Sequence, residues 1–244
     1  MLFRSASLLG YIVPDPTLIS LLKHAAGAHD MTRHARWYFD FISPYSYLQF
    51  KRLKAEQVDL EIEWMPVLFA GLLGHWGHKG PAEIASKRLD TYRFCQWYAD
   101  THEILFRMPS AHPFNPLPYL RLCIALGSSV EVIERVFDYL WTESPALDSD
   151  SATKALAERL GIEDLDTVLN AASVKATLRA NFEQAINDGI YGVPSFVIDG
   201  FRFWGVDQTD MMLAYLKNPQ IMKTREMQRI AELPTAAMRN LSSA

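Results

Sequence analysis

Cysteine is nearly missing from this chain: 244 residues hold two, Cys95 and Cys123, each in an apolar, helix-like context. No Cys-x-x-Cys occurs, so the chain's own residues cannot exchange disulfides. Two small buried thiols in a reducing compartment account for the pair more simply than a structural disulfide does. No apolar run reaches the ~18 residues that a membrane-spanning helix needs. Charge is close to balanced, 24 Lys and Arg against 28 Asp and Glu for a net −4, which leaves no electrostatic footprint for nucleic acid. Gly-x-Ser-x-Gly is absent, and no His or Asp spacing offers a serine nucleophile a base. His75 and His78 lie three apart without a third ligand at useful spacing, so no metal site is expected.

What remains is an ordinary globular composition, 49% hydrophobic, with aromatics at 12% and six tryptophans. That is enough for one large domain or a domain with an insertion, with aromatic side chains to spare for a pocket. Pro14-Asp15-Pro16 interrupts the moderately apolar opening stretch, and no clean small-x-small cleavage pattern follows. Residues 1–33 are therefore read as an extension outside the fold, not as a signal peptide, and the cytoplasm is the expected compartment.

The pattern along the chain predicts a strand over Ala35–Ile42, a helix from Pro44 to about Gln57, and a second strand over Leu60–Met65, stopped by Pro66. Strand, helix, strand within about thirty residues is a βαβ unit. From 68 to 187 only helical periodicity appears, with helices expected over Glu83–His102, Leu117–Gly127, Val130–Thr142, Ser151–Leu160, Leu165–Ala171 and Val174–Asp188. Strands resume at Pro194–Ile198 and Arg202–Trp204, joined by Asp199-Gly200, a hairpin signal. A helix over about Asp207–Leu216 follows. The fold class is α/β, a βαβ…ββα domain over 34–66 and 188–217 interrupted by a helical insertion over 67–187. A further helix and a polar tail occupy 218–244.

Two segments carry chemical interest. Ser43-Pro44-Tyr45-Ser46 ends a strand and opens a helix, the place where a redox protein of this topology would carry its two cysteines. Ser at N-cap with Pro at N1 is also a good helix start, its hydroxyl serving an N2 or N3 amide. Val193-Pro194 precedes a strand, where a trans proline in a central position would waste a ladder donor. A cis bond would expose the Val193 amide and carbonyl to an extended peptide; an edge-strand proline is the bland alternative.

The Asp40–Leu48 run, Lys79-Gly80-Pro81 with Lys87, His112-Pro113-Phe114-Asn115, Gly192-Val193-Pro194-Ser195-Phe196 and Phe203-Trp204-Gly205-Val206-Asp207 together resemble the 2-hydroxychromene-2-carboxylate isomerase and kappa-class glutathione transferase family. These are thioredoxin-like proteins related to bacterial disulfide oxidases, and the similarity covers about residues 34–217. It implies a glutathione cofactor. Ser43 would hold the glutathione sulfur, which a helix N-terminus helps to keep anionic. Val193, beside Pro194, would pair with the cysteinyl backbone. Asp207 would take the γ-glutamyl ammonium, while helix amides take its carboxylate. Val206 stands where the family has a small polar residue and offers only its amide. Lys87 would reach the glycyl carboxylate, and His78 stands where the family often has Gln or Asn.

Tyr47, Trp76 and Asn115 are candidates for the substrate pocket, with Phe69 and Trp97 as further apolar wall; each aromatic is also a plausible core residue, and Asn115 a plausible loop cap. Lys87 could equally be a solvated helix lysine, and Asp207 an N-cap. The expected activity is a glutathione-dependent isomerase acting on a small aromatic carboxylate, as a homodimer by resemblance. A transferase on the same scaffold is the alternative, and a binding or chaperone module without thiol chemistry the alternative of another class.

Overall fold

A computed structural model of the chain describes residues 33–147 and 150–237; the expected extension over 1–33 lies, Arg33 apart, outside them. Strand β1 (Arg33–Phe39) leads through helix α1 (Pro44–Glu56) to β2 (Leu60–Pro66), parallel to β1 with Arg33 opposite Leu60 and Phe39 opposite Pro66. Parallel neighbours need such a crossover helix. β3 (Ser195–Ile198) pairs antiparallel with β1, and β4 (Phe201–Trp204) antiparallel with β3, so the sheet order is β2-β1-β3-β4. Asp199 and Gly200 close the β3–β4 hairpin with φ of 51° and 82°, the positive pair that a tight right-twisting hairpin requires.

Between β2 and β3 the described residues hold helices α2 (Phe69–Trp76), α3 (Ala85–Thr101), α4 (Leu117–Ala125), α5 (Val130–Asp138), α6 (Asp150–Arg159), α7 (Leu165–Asn170) and α8 (Ala172–Asn187). After the sheet come α9 (Thr209–Lys217) and α10 (Arg225–Ala231). β1 stops at Phe39, short of the expected Ile42. There the Asp40 carbonyl accepts from the Ser43 amide and its carboxylate from the Ile42 amide, a side-chain-closed turn that ends pairing. α2 was not expected, since Phe-Ala-Gly-Leu-Leu-Gly-His-Trp carries two glycines that weaken a helix.

Alternation along β1 divides the packing. Trp37 and Phe39 enter a large core with α1, α3, α4, α5 and α9 residues, while Tyr38 faces a smaller cluster with Met65, Leu72, Ala185 and Val193. Trp37 is fully buried, 4.6 Å from the Phe39 ring and 5.9 Å from Phe196. A buried aromatic of this kind contributes about 1.5–3 kcal/mol. Cys95 and Cys123 are both free and buried, and burial raises both thiols, Cys123 to about 12.

Candidate functional site

At one end of the sheet the β1–α1 turn, α2 with the loop behind it, the start of α3, the loop before α4, and the segments around Val193 and Gly205 surround a cleft of about 760 Å³. Ser43, His78, Lys87, Val193, Val206 and Asp207 all line it. The structure therefore brings together six of the residues singled out in the sequence.

Ser43 is the N-cap of α1. Its hydroxyl accepts from the Ser46 amide at 3.2 Å and lies 3.4 Å from the Val193 carbonyl, to which it donates. Of the first-turn positions, Pro44 has no N–H and Ser46 is capped by Ser43; the Tyr45 amide has no partner among the described residues. A helix start with an open amide is an anion seat. Ser46 is fully buried and its hydroxyl unpartnered, so it packs inside the first turn.

The Val193–Pro194 bond is cis. The Val193 amide makes no hydrogen bond among the described residues, and the Pro194 carbonyl accepts from the Gly205 amide at 2.9 Å. That last bond carries the chain into a 3₁₀ turn, Val206–Gln208, ahead of α9. Asp207 is thus the middle residue of this turn, exposed, and not the α-helical N-cap that the sequence suggested. Gly205 takes φ 86°, a backbone conformation that favours glycine, and a Cβ there would also press on the Asp207 carboxylate. Underneath, fully buried Gln49 accepts from the Trp37 indole at 2.7 Å and donates to the Gly205 carbonyl at 3.1 Å and Thr209 Oγ1 at 3.0 Å. Through Gln49, β1 and α1 set the position of the Asp207 segment.

Lys87 is the third residue of α3, exposed at the rim, with no ion-pair partner among the described residues. His78 sits in the loop behind α2, also exposed.

Three expected pocket residues lie elsewhere. Tyr47 is fully buried, stacked 6.0 Å from Phe106 with its hydroxyl on the Leu105 carbonyl; it belongs to the core because α1 turns it away from the cleft. Trp76 is 46% exposed and its indole donates to the Ile190 carbonyl at 2.8 Å. Asn115 caps its own loop, accepting from the Leu117 amide at 3.1 Å, while His112, Pro113, Phe114 and Pro116 around it do line the cleft. Phe69 lines the wall as expected, and Trp97 stands outside, 59% exposed.

Residues not anticipated complete the site. Asp40 is wholly buried and spends both carboxyl oxygens on amides, Ile42 at 3.2 Å and Phe69 at 2.8 Å. It so caps α2 from across the fold. Burial outweighs those hydrogen bonds and lifts its carboxyl to about 7. Trp204 and Tyr191 meet edge to face at 5.1 Å on one wall; a Cβ on Gly192 would come within 2.5 Å of the Trp204 indole nitrogen, so glycine admits the ring. His112, before Pro113, reaches the Ile42 carbonyl with Nε2 at 2.8 Å, while Nδ1 lies 2.6 Å from the Tyr92 hydroxyl. Trp141 Nε1 donates to the neighbouring Phe41 carbonyl at 3.0 Å. Such long-range caps have no local spacing to betray them, though Asp40 and His112 stand inside two of the signature runs. Among the described residues no cluster of three His, Cys, Asp or Glu could hold a metal, and no helix is long and apolar enough to cross a membrane.

A β2-β1-β3-β4 sheet with a helix N-terminus facing a cis-proline loop, and helices inserted between β2 and β3, defines a thioredoxin fold of the DsbA kind. Residues 36–217 match the DSBA-like thioredoxin domain, and the chain belongs to that family. It is 26% identical over 206 residues to glutathione S-transferase kappa 2 of Caenorhabditis elegans, covering 75% of this chain and 92% of that protein. It is 27% identical over 192 residues to a 2-hydroxychromene-2-carboxylate isomerase of Pseudomonas putida, covering 72% and 90%. Among solved structures, a selenomethionine form of 2-hydroxychromene-2-carboxylate isomerase superposes with a TM-score of 0.65 over 83% of this chain and 100% of that one, at 22% identity.

Proposed function

We propose that this protein is a glutathione-dependent isomerase of the 2-hydroxychromene-2-carboxylate type, working in the cytoplasm as a homodimer on a small aromatic carboxylate. The observation that carries the reading is the pairing of Ser43 with Val193 across the cleft, each beside an amide left open, at Tyr45 and at Val193. Those groups fit an extended tripeptide thiol. Ser43 and the Tyr45 amide would hold a sulfur anion, and Val193 would pair with the cysteinyl backbone. Asp207 and the Val206 amide would take the γ-glutamyl end, Lys87 and His78 the glycyl carboxylate.

Bound glutathione would supply a sulfur nucleophile that adds reversibly to the substrate, so that a ring opens and a bond rotates before the sulfur departs. The protein's part is to lower the thiol's pKa from its free value of ~8.5 at a helix N-terminus, and to line the acceptor side with Phe69, Phe114, Tyr191 and Trp204. Names of relatives support the reaction class at 24–27% identity.

Calorimetric titration of glutathione into the wild type and Ser43→Ala tests the first half. Saturable binding is expected, with affinity at least roughly tenfold weaker in the variant, the loss of a hydrogen bond to a charged group. Absence of binding to the wild type would favour a non-catalytic binding module. The kappa-class relative favours a second reading, transfer of glutathione to electrophiles. Following glutathione during turnover separates the two: an isomerase returns it unchanged, whereas stoichiometric loss with no conversion of 2-hydroxychromene-2-carboxylate means a transferase.

A further inference from the structure

Among the cleft groups that the binding scheme above leaves unused are a hydrogen-bonded tyrosine and histidine. Tyr92 of α3 and His112 both line the cleft, with Tyr92 Oη 2.6 Å from His112 Nδ1 and 3.0 Å from the His112 carbonyl. The Ile42 carbonyl, 2.8 Å from His112 Nε2, can only accept, so Nε2 carries the hydrogen. A neutral imidazole then has a bare Nδ1, and the single Tyr92 hydroxyl hydrogen is shared between that nitrogen and the His112 carbonyl. Burial, aided by the nearby Arg88 charge, lowers His112 and keeps the ring neutral, against the Ile42 hydrogen bond. Burial raises Tyr92, with Arg88 opposing and Cys95 adding to the rise. Trp141 and Phe114, 5.8 and 6.3 Å ring to ring with His112 and Trp141 in turn, complete an apolar surround without further charge.

Resting on the glutathione reading, we propose that the Tyr92–His112 pair is the cleft's proton store, taking the proton that a bound thiol gives up and returning it to the substrate. Tyr92 Oη accepts the thiol proton while its own proton passes to His112 Nδ1. An S–H and an O–H bond break, an O–H and an N–H bond form, and a neutral pair becomes sulfur anion and imidazolium. In the return step Tyr92 hands a proton to the substrate atom that gains the electron pair when sulfur adds, and His112 Nδ1 refills Tyr92. Nothing is oxidised or reduced. Both Asp40 oxygens are already engaged by amides. An imidazolium that is unfavourable alone becomes favourable beside a new anion, which couples proton uptake to sulfur ionisation.

The test is proton release on binding, read without turnover. Glutathione is titrated at neutral pH in two buffers of different ionisation enthalpy, and the ultraviolet absorbance of the thiolate is recorded on the same mixtures. The expected wild-type result is thiolate absorbance with buffer-independent heat, because the proton stays in the protein. His112→Gln keeps both hydrogen bonds, amide N–H to Ile42 and amide oxygen to Tyr92, but cannot take a proton. Tyr92→Phe breaks the relay from the other side. In each, binding should persist while the thiolate either disappears or forms with its whole proton lost to buffer, and turnover should fall by roughly 10²-fold or more. Wild-type thiolate formed with full proton release, or variants indistinguishable from wild type, would overturn the store and leave glutathione binding standing. A wild type that binds no glutathione would overturn both.

Discussion

Asp40 and Ser43 divide one short turn between them. Ser43 serves the start of α1 and reaches across to Val193; Asp40 serves Ile42 below and Phe69 at the start of α2. Both are polar, both are buried, and only the carboxyl pays for its burial. Asp40 titrates near 7 when folded against 3.8 as its ordinary value. Below about pH 4 the folded and unfolded chains both keep the proton. Between pH 4 and 7 the unfolded chain loses it first, so the folded state binds more protons and stability falls as pH rises. Above 7 the penalty is constant, at most about 4 kcal/mol by the size of the shift. Asp40→Asn lacks the titration but loses one amide bond, since its Nδ2 cannot accept. Urea unfolding at several pH values should therefore show the variant gaining on the wild type as pH rises from 4 to 7. A stability gap that stays constant over that window would remove Asp40 as the titrating group.

At the scale of elements, Gln49 joins a strand, a helix and the start of α9 through one amide. Gln49→Leu keeps the volume but strands the Trp37 indole and the Gly205 carbonyl in the core. The expected cost is about 1–3 kcal/mol per unsatisfied group, read by denaturant titration. Glutathione affinity should fall too, because the Gly205–Asp207 turn loses its anchor; unchanged affinity in a destabilised variant would show that the turn holds itself. This anchor was invisible in the sequence, where Gln49 is one more helix residue. So was α2, whose start is capped by a carboxylate 29 positions earlier. Legible were the elements with local signals: the Ser-Pro start of α1, the Asp-Gly hairpin, and helices of steady period such as α3 and α8. The same division runs through the site. Residues inside spaced motifs, Ser43, Lys87, Val193 and Asp207, line one cleft. Tyr47, Trp76 and Asn115 were misplaced because residue type and spacing do not say which way a ring or amide points, and Tyr92 and Trp204 gained their meaning only from partners 20 and 13 positions away.

Across the whole molecule, segments that the sequence separates, 34–66 with 188–217 and the helices of 67–187, share one core. Phe137 of α5 shows how closely. Its ring lies 4.7 Å from Phe41, 5.6 Å from Phe50, 5.8 Å from Phe39 and 6.4 Å from Trp37, so an insertion residue sits among the side chains of β1 and α1. The Trp141 hydrogen bond to the Phe41 carbonyl then fixes the very turn that presents Ser43. A cleft walled by both parts needs them to fold together, because neither set of helices covers the sheet's aromatic face alone. Phe137→Ala would leave a cavity at this junction and lower the unfolding free energy by about 3–5 kcal/mol. The slope of that free energy with denaturant should be unchanged, and tryptophan fluorescence and far-ultraviolet dichroism should report one coincident transition. Two separated transitions, with helical signal lost before the environment of buried Trp37, would mean that the insertion and the sheet are stable apart and that the cleft is an interface between domains.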